Sequence, residues 1–340
     1  MNAAAQVADP QSGRAIPVFE DLDLAPYVPA EFRKTELDQT DIPAMARDAV
    51  VVRRIEEVLP NLPTVHYLVN GDARRMTSLT PESVHLVLTS PPYWSLKRYD
   101  DAEGQLGHIE DYKAFLHELK QVWSRCFELL IPGGRLICVV GDVCLSRRKN
   151  GGRHTVVPLH SSIQEICRNI GFDNLAPIIW HKIANAVYEV GGGGGFLGKP
   201  YEPNSVIKND IEFILMLRKP GGYRKPDAAK RILSLIGAES YQGWFQQIWT
   251  GLTGASTREH PAPFPIELAQ RLIRMFSFTG DVVLDPFAGS GTTAIAATQT
   301  GRQSIGYEIS LGYCNKAASR FEAETSSLFH KPVIERLFEK

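Results

Sequence analysis

Short β-branched runs that end on polar residues alternate with helix-spaced apolar patterns along most of this 340-residue chain. That alternation is the strongest constraint on its fold. "TVHYLVNGD" (64–72) and "VHLVLTS" (84–90) read as strands, and "DYKAFLHELKQVWSRCFELL" (111–130) sets Phe115, Leu119, Val122, Trp123, Cys126 and Leu130 at helical spacing. "PGG" (132–134) is expected to end this helix, and "RLICVVGD" (135–142) to form the next buried strand. A helix over 157–170 and a strand over 175–182 follow. Residues 183–258 read as irregular, with "GGGGG" at 191–195 and a strand-like "IEFILMLRK" at 211–219. The alternation then resumes: helix "PIELAQRLIRMFS" (265–277), strand "DVVLD" (281–285), helix "TTAIAATQT" (292–300), strand "RQSIGYE" (302–308) and helix "LGYCNKAASRFEAE" (311–324). Such a pattern predicts an α/β fold with a doubly wound, mostly parallel sheet, whose ligands gather outside the carboxyl ends of the strands.

Composition excludes several classes. With 44% hydrophobic and 22% charged residues the chain can bury a large core. No run of about 18 apolar residues is present, and the first residues lack a basic region followed by an apolar one, so neither membrane insertion nor export is indicated. Cys126, Cys138, Cys144, Cys167 and Cys314 form no CxxC pair, which suits a reducing, cytoplasmic setting. Histidine spacing offers no metal site. A net charge of −1 argues against a uniformly basic nucleic-acid binder and leaves two local patches, 147–154 and 218–231, as the candidates. Residues 1–16 read as disordered, and 45–59 as an amphipathic helix that could cover the main domain.

The strand ends carry the chemistry. "DVVLD" closes on Asp285 and runs into "DPFAGSGTT", where Gly289 and Gly291 permit a tight turn close to a ligand before Thr292 opens a helix. No lysine follows as in a phosphate-cradling P-loop. Glu308 ends the next strand, where a carboxylate can accept hydrogen bonds from ribose hydroxyls, so a nucleoside-containing ligand is expected. Asp72 could take a hydrogen bond from an amino group or cap the segment "ARRMTSL". Ser90 is followed by Pro91-Pro92-Tyr93-Trp94, a stiff corner with two backbone donors removed. An amino group could donate to the Ser90 hydroxyl and the Pro91 carbonyl, with Tyr93 stacked on the ring that bears it.

At these residues the chain resembles the beta group of amino-methylating DNA methyltransferases. Ser90-Pro91-Pro92-Tyr93 matches the family's [DNS]-P-P-[YFW] catalytic motif, and Asp285 to Gly291 matches its "DPFxGSG" S-adenosylmethionine motif. Supporting matches are "GQLGHIEDY", "PGGRLICVVGD", "GFDNLAPIIWHK" and "HPAPFPIEL", and the likeness spans 64–320. It implies a Rossmann-like S-adenosylmethionine-dependent methyltransferase fold in circularly permuted order. The implied layout is an N-terminal extension (1–60, partly disordered), a catalytic domain (61–182 and 259–325) and a target-recognition region (183–258).

The resemblance assigns catalysis to Ser90, Pro91, Pro92 and Tyr93, and cofactor binding to Asp72, Asp285, Pro286, Phe287, Ala288, Gly289, Ser290, Gly291, Thr292 and Glu308. His260 and Phe264 resemble residues near the methionine end of the cofactor. The implied partner is double-stranded DNA, with Arg147, Arg148, Lys149, Arg218, Lys219, Arg224, Lys225, Lys230 and Arg231 as candidate phosphate contacts. The implied reaction is base flipping and direct transfer. Serine in the first motif position is associated with cytosine N4; adenine N6 is the alternative, and an RNA or small-molecule substrate is the further one. No Pro-Cys nucleophile of a carbon-5 enzyme is present. A separately acting restriction endonuclease and a homodimer are also compatible with the resemblance.

Overall fold

The computed structural model describes residues 16–17, 19–94, 102–145, 150–182, 209–254, 264–326 and 332–339. Among them are the strands β1 (His66–Asn70), β2 (Val84–Thr89), β3 (Leu130–Val140), β4 (Val143–Leu145), β5 (Thr155–Val157), β6 (Asp173–His181), β7 (Ile211–Arg218), β8 (Ile248–Trp249), β9 (Val282–Asp285), β10 (Gln303–Glu308) and β11 (Ile334–Phe338). Nine form one sheet in the order β11-β1-β10-β9-β2-β3-β7-β6-β8, while β4 and β5 form a separate hairpin. All neighbours in the large sheet are parallel except β7, which runs against both β3 and β6.

The helices are α1 (Asp41–Arg47), α2 (Ala49–Val58), α3 (Tyr112–Leu129), α4 (Leu159–Ile170), α5 (Ala228–Leu233), α6 (Ala238–Trp244), α7 (Ile266–Phe276), α8 (Thr292–Gln299) and α9 (Leu311–Thr325). None is long and apolar enough to cross a membrane.

The helices cover both faces of the sheet, as expected of a doubly wound fold. On α3, Phe115, Leu119, Val122, Trp123, Cys126 and Leu129 are fully buried, packing with α4 on Val87, Leu136, Cys138 and Leu284. The other face buries Leu86, Leu88, Ile137, Val139 and Val283 under Leu268, Leu272 and Ile273 of α7. Each such side chain contributes roughly 1.5–3 kcal/mol, so packing rather than helix propensity fixes these elements. Helix starts are capped where the sequence supplies an acid: Asp48 accepts from the N–H groups of Val50 and Val51, and Asp111 from that of Ala114 at 2.7 Å.

Three expectations change. Helix α3 ends at Leu129 without the glycines, and β3 begins at Leu130 and passes through "PGG" as an irregularity. Gly133, at φ +80°, donates its N–H to the Lys219 carbonyl, and a β-carbon there would stand 2.5 Å from the Gly222 oxygen. Second, β7 and β8, within 183–258, belong to the main sheet. Residues Ile232, Leu233 and Leu235 share a core with Leu24, Val28, Val51, Ile55, Leu59 and Leu62, so much of the N-terminal extension is folded against this region. Residues 1–15, the glycine run 191–195 and the rest of 183–208 lie outside the described residues. Third, β11 adds an edge strand beside β1, beyond the expected end of the domain.

The second basic patch lies at the other rim of the sheet. Because β7 is reversed, pairing Phe213 with Val140 and Arg218 with Arg135, the chain leaves it at the amino rim of the sheet, opposite Ser90. There Arg218 pairs with Asp173 at 2.7 Å, and Lys219 with Glu82 and the Leu130 carbonyl. Arg224 grips Asp281 through two 2.7 Å bonds, and Lys230 pairs with Asp21. Lys225 is exposed and Arg231 half-buried on the same segment. These six residues therefore sit away from the acceptor corner, and Arg218, Lys219, Arg224 and Lys230 are held by contacts within the fold.

Asp281 is 2% exposed, so Arg224→Ala would strand a buried carboxylate and is expected to cost about 3 kcal/mol of stability, read by denaturant unfolding. The salt dependence of DNA binding should be unchanged by it; a slope smaller by about one would instead reveal a phosphate contact.

Candidate active site

Four strand ends converge on one cleft at the carboxyl rim of the sheet. β1 contributes Gly71 and Asp72, β10 contributes Glu308 and Ile309, the turn after β9 contributes Pro286, Phe287 and Gly289, and the corner after β2 contributes Ser90 and Pro92. The strand ends are stitched together by the Asn70 amide, which donates to the carbonyls of Glu308 (2.9 Å) and Ile309 (3.0 Å).

Glu308 is the cleft's buried acid. Its Oε2 accepts the Gly289 N–H at 2.9 Å and its Oε1 the Ser310 N–H at 2.9 Å, leaving lone pairs for a ligand's hydroxyls. Burial pushes its carboxyl up to about 7, against the backbone hydrogen bonds that lower it. Asp72 stands differently. Burial alone would raise it, but hydrogen bonds from the Arg74 side chain and backbone outweigh that and hold it below the usual value. Arg74 also reaches Glu118 on α3, so Asp72 is fixed by an ion-pair chain and not by capping a helix.

Asp285 lies behind the cleft rather than in it. Its Oδ1 accepts from the Thr89 hydroxyl (2.7 Å) and the Phe287 N–H (3.0 Å), and its Oδ2 from the Thr293 hydroxyl (2.6 Å). Burial raises its pKa. Ala288, Ser290, Gly291 and Thr292 likewise build the turn without lining the cleft: Ala288 donates its N–H to the Tyr307 carbonyl, and Arg320 donates to the hydroxyls of Ser290 (3.0 Å) and Thr292 (2.9 Å). Of the ten expected cofactor residues, Asp72, Pro286, Phe287, Gly289 and Glu308 face it. Gly289, at φ +51°, takes a conformation few other residues adopt.

At the acceptor corner, the Ser90 hydroxyl faces the Tyr93 hydroxyl at a long 3.3 Å. The Tyr93 ring is buried beside Gly141 and does not line the cofactor cleft. Trp94 packs under the corner at φ +46°, its indole donating to the Glu110 carbonyl and meeting Tyr112 edge-on. Phe264 is buried in the core under α7, and His260 lies outside the described residues, as do Arg147, Arg148 and Lys149. The β4–β5 hairpin leaves the carboxyl rim just after Asp142.

The sequence reading missed Gly71, Gly104, Gln105, Leu106 and Tyr313 as lining residues. Glycines in "NGD" and "EGQLGH" were its available signals. Tyr307 packs, bonded to Ser78 and Glu339, and also borders the cleft.

The donor set fits S-adenosylmethionine: two carboxylates for a cationic ligand's hydroxyl and amino groups, and apolar walls from Val122, Leu106, Phe287 and Ile309. Comparison with known proteins agrees. The family model described as "DNA methylase", of the N6/N4 type, matches residues 84–319. The type II methyltransferase M.MjaI of Methanocaldococcus jannaschii is 37% identical over 279 residues, 73% of this chain and 88% of that one. M.MthZI of Methanothermobacter thermautotrophicus, also a type II methyltransferase, is 33% identical over 298 residues, 81% of each chain. A putative DNA modification methylase of Thermus thermophilus, TTHA0409, solved as a complex with S-adenosyl-L-methionine, superposes with a TM-score of 0.67 at 50% identity, covering 81% of this chain and 99% of its own.

Two outcomes follow for ligand binding. Accepting hydroxyl donors favours ionised Glu308, so affinity should rise with pH through about 7, with proton release seen by calorimetry in two buffers. The folded chain holds this proton more tightly than the unfolded one, so Glu308 subtracts stability as pH rises from about 4.5 to 7. By contrast, Asp285→Ala should lower both melting temperature and ligand affinity; affinity loss without a shift in melting would put Asp285 in direct contact with the ligand.

Proposed function

Because the chain belongs to the N6/N4 DNA methylase family, for which S-adenosylmethionine is the methyl donor, we propose that it methylates the exocyclic N4 of cytosine in duplex DNA, at a base turned out of the helix. The observation that carries this reading is the meeting of Ser90 with Glu308, Asp72 and the glycine turn around one cleft.

The bound cofactor would supply an electrophilic methyl on a sulfonium. Glu308, Asp72 and the Gly289 turn bind and orient it. Ser90 and the Pro91 carbonyl accept the amine's two hydrogens, which turns the nitrogen lone pair out of ring conjugation. Two prolines keep these acceptors in place without competing backbone donors. Tyr93, wedged on Gly141, supplies a fixed aromatic wall against which a flipped base can be held. A paired base could not offer its amine, which is why flipping is part of the proposal.

Cytosine is favoured by Ser90, a hydroxyl acceptor in a motif position where Asp or Asn is associated with adenine N6. Duplex contact is assigned to the carboxyl rim, including Arg153 and His154 in the loop of the β4–β5 hairpin, and target recognition to the segments joined there. A partner endonuclease and a dimer on DNA belong to the same proposal.

Incubation with unmethylated duplex DNA and labelled cofactor, followed by nucleoside mass spectrometry, should give N4-methylcytosine. N6-methyladenine would overturn the base, and no methylated nucleoside would overturn the substrate. Ser90→Ala should slow single-turnover methylation about 100-fold and leave cofactor affinity within twofold.

A further inference from the structure

Cofactor and acceptor must meet at Ser90 from opposite sides. Asp72, Glu308 and Gly289 hold the cofactor's place over β1, β10 and β9, so the acceptor ring lies over the other half of the carboxyl rim, formed by β3, β7 and β6. Among the described residues, three pairs of polar side chains stand at that half. Asp142 is bonded to His160 Nδ1 at 2.6 Å, and the other ring nitrogen of His160 meets Ser161; His181 pairs with Asp210 at 3.2 Å. The third pair is Lys182 with Glu212 at 2.8 Å. A β-carbon on Gly141 would be 3.4 Å from Tyr93 Cε2 and 3.5 Å from Glu212 Cγ, so the Tyr93 ring and Glu212 flank the same glycine.

Lys182 is preorganised. It follows the last residue of β6, its ammonium stands 5.4 Å from the Trp180 ring centroid, and a β-carbon on Gly254 would lie 2.7 Å from its Cε. Trp180 is fully buried and donates to the Leu252 carbonyl at 3.1 Å. The lysine is nonetheless 34% exposed, and only one of its three N–H donors is used by Glu212.

We infer that Lys182, oriented by Glu212, is the donor that reads the ring acceptors of the flipped base next to its exocyclic amine. The inference rests on the DNA-methylating reading above. In cytosine an ammonium can serve both the endocyclic N3 and the O2 carbonyl; in adenine it meets N1 alone; thymine offers it an N–H and no amine. Glu212 at 2.8 Å disfavours a phosphate at the same ammonium, because the anion would share the site with a carboxylate.

The test uses a duplex that the wild-type chain methylates. Lys182→Met keeps the stem against Trp180 and Gly254 and removes the donor. Single-turnover methylation should fall about 30-fold, with cofactor affinity within twofold and the salt slope of DNA binding unchanged. Replacing the ring nitrogen at the methylated base by carbon, as in 3-deazacytosine or 1-deazaadenine, should slow the wild type comparably and Lys182→Met no further. Glu212→Gln, nearly isosteric, should give a smaller loss of the same kind. An unchanged rate, a salt slope reduced by about one, or a lowered cofactor affinity would each overturn the inference. A wild-type chain that methylates no DNA overturns the functional reading itself, and this inference with it.

Discussion

One buried carboxylate joins the two halves of the site. Asp285 accepts hydrogen bonds from Thr89, 196 residues earlier, from the Phe287 N–H, and from Thr293 on α8. Burying a carboxylate costs several kcal/mol, which hydrogen bonds to a charged group, each contributing about 1.5–3 kcal/mol, can offset. The consequence is geometric: Thr89 immediately precedes Ser90, and Phe287 begins the turn that carries Gly289. The spacing between Ser90 and the Gly289 turn is thus set by a residue that does not line the cleft.

The polar residues at strand ends were legible because a hydrophilic residue closing a β-branched run is visible in sequence, and Ser90, Asp72 and Glu308 were found that way. Their sorting was not. Asp285, Ser290 and Thr292 are polar as Glu308 is, and only the three-dimensional turn reveals that they face the fold while Gly289 faces the cleft. The direction of β7 was equally hidden, since an apolar run reads alike in either sense. Edge strand β11, "IERLF", has two adjacent charged residues in five and offered little periodic signal, yet it brings Glu339 onto Ser78 and Tyr307 beneath the cleft.

Charge composition misled for a related reason. A run such as "RKPGGYRKPDAAKR" looks like a phosphate-binding patch because sequence shows cations but not their partners. Asp173, Glu82, Asp281 and Asp21, scattered over the chain, supply those partners at the amino rim. The cleft has the reverse bias, with Asp72 and Glu308 inside it and Arg74 tied to Asp72 and Glu118. A near-neutral chain therefore presents an acidic cofactor cleft and an internally neutralised far rim.

The reversal of β7 has a further consequence for substrate access. In a purely parallel sheet each strand ends at the carboxyl rim and the chain must cross back to the amino rim before the next begins. Here β6 ends at His181 and β7 starts at Ile211, and these two residues are register partners at the carboxyl rim. The chain thus leaves the described fold after Lys182 and re-enters it at the same rim, on the half of the sheet away from β1, β9 and β10, with no crossover to the amino rim required between them.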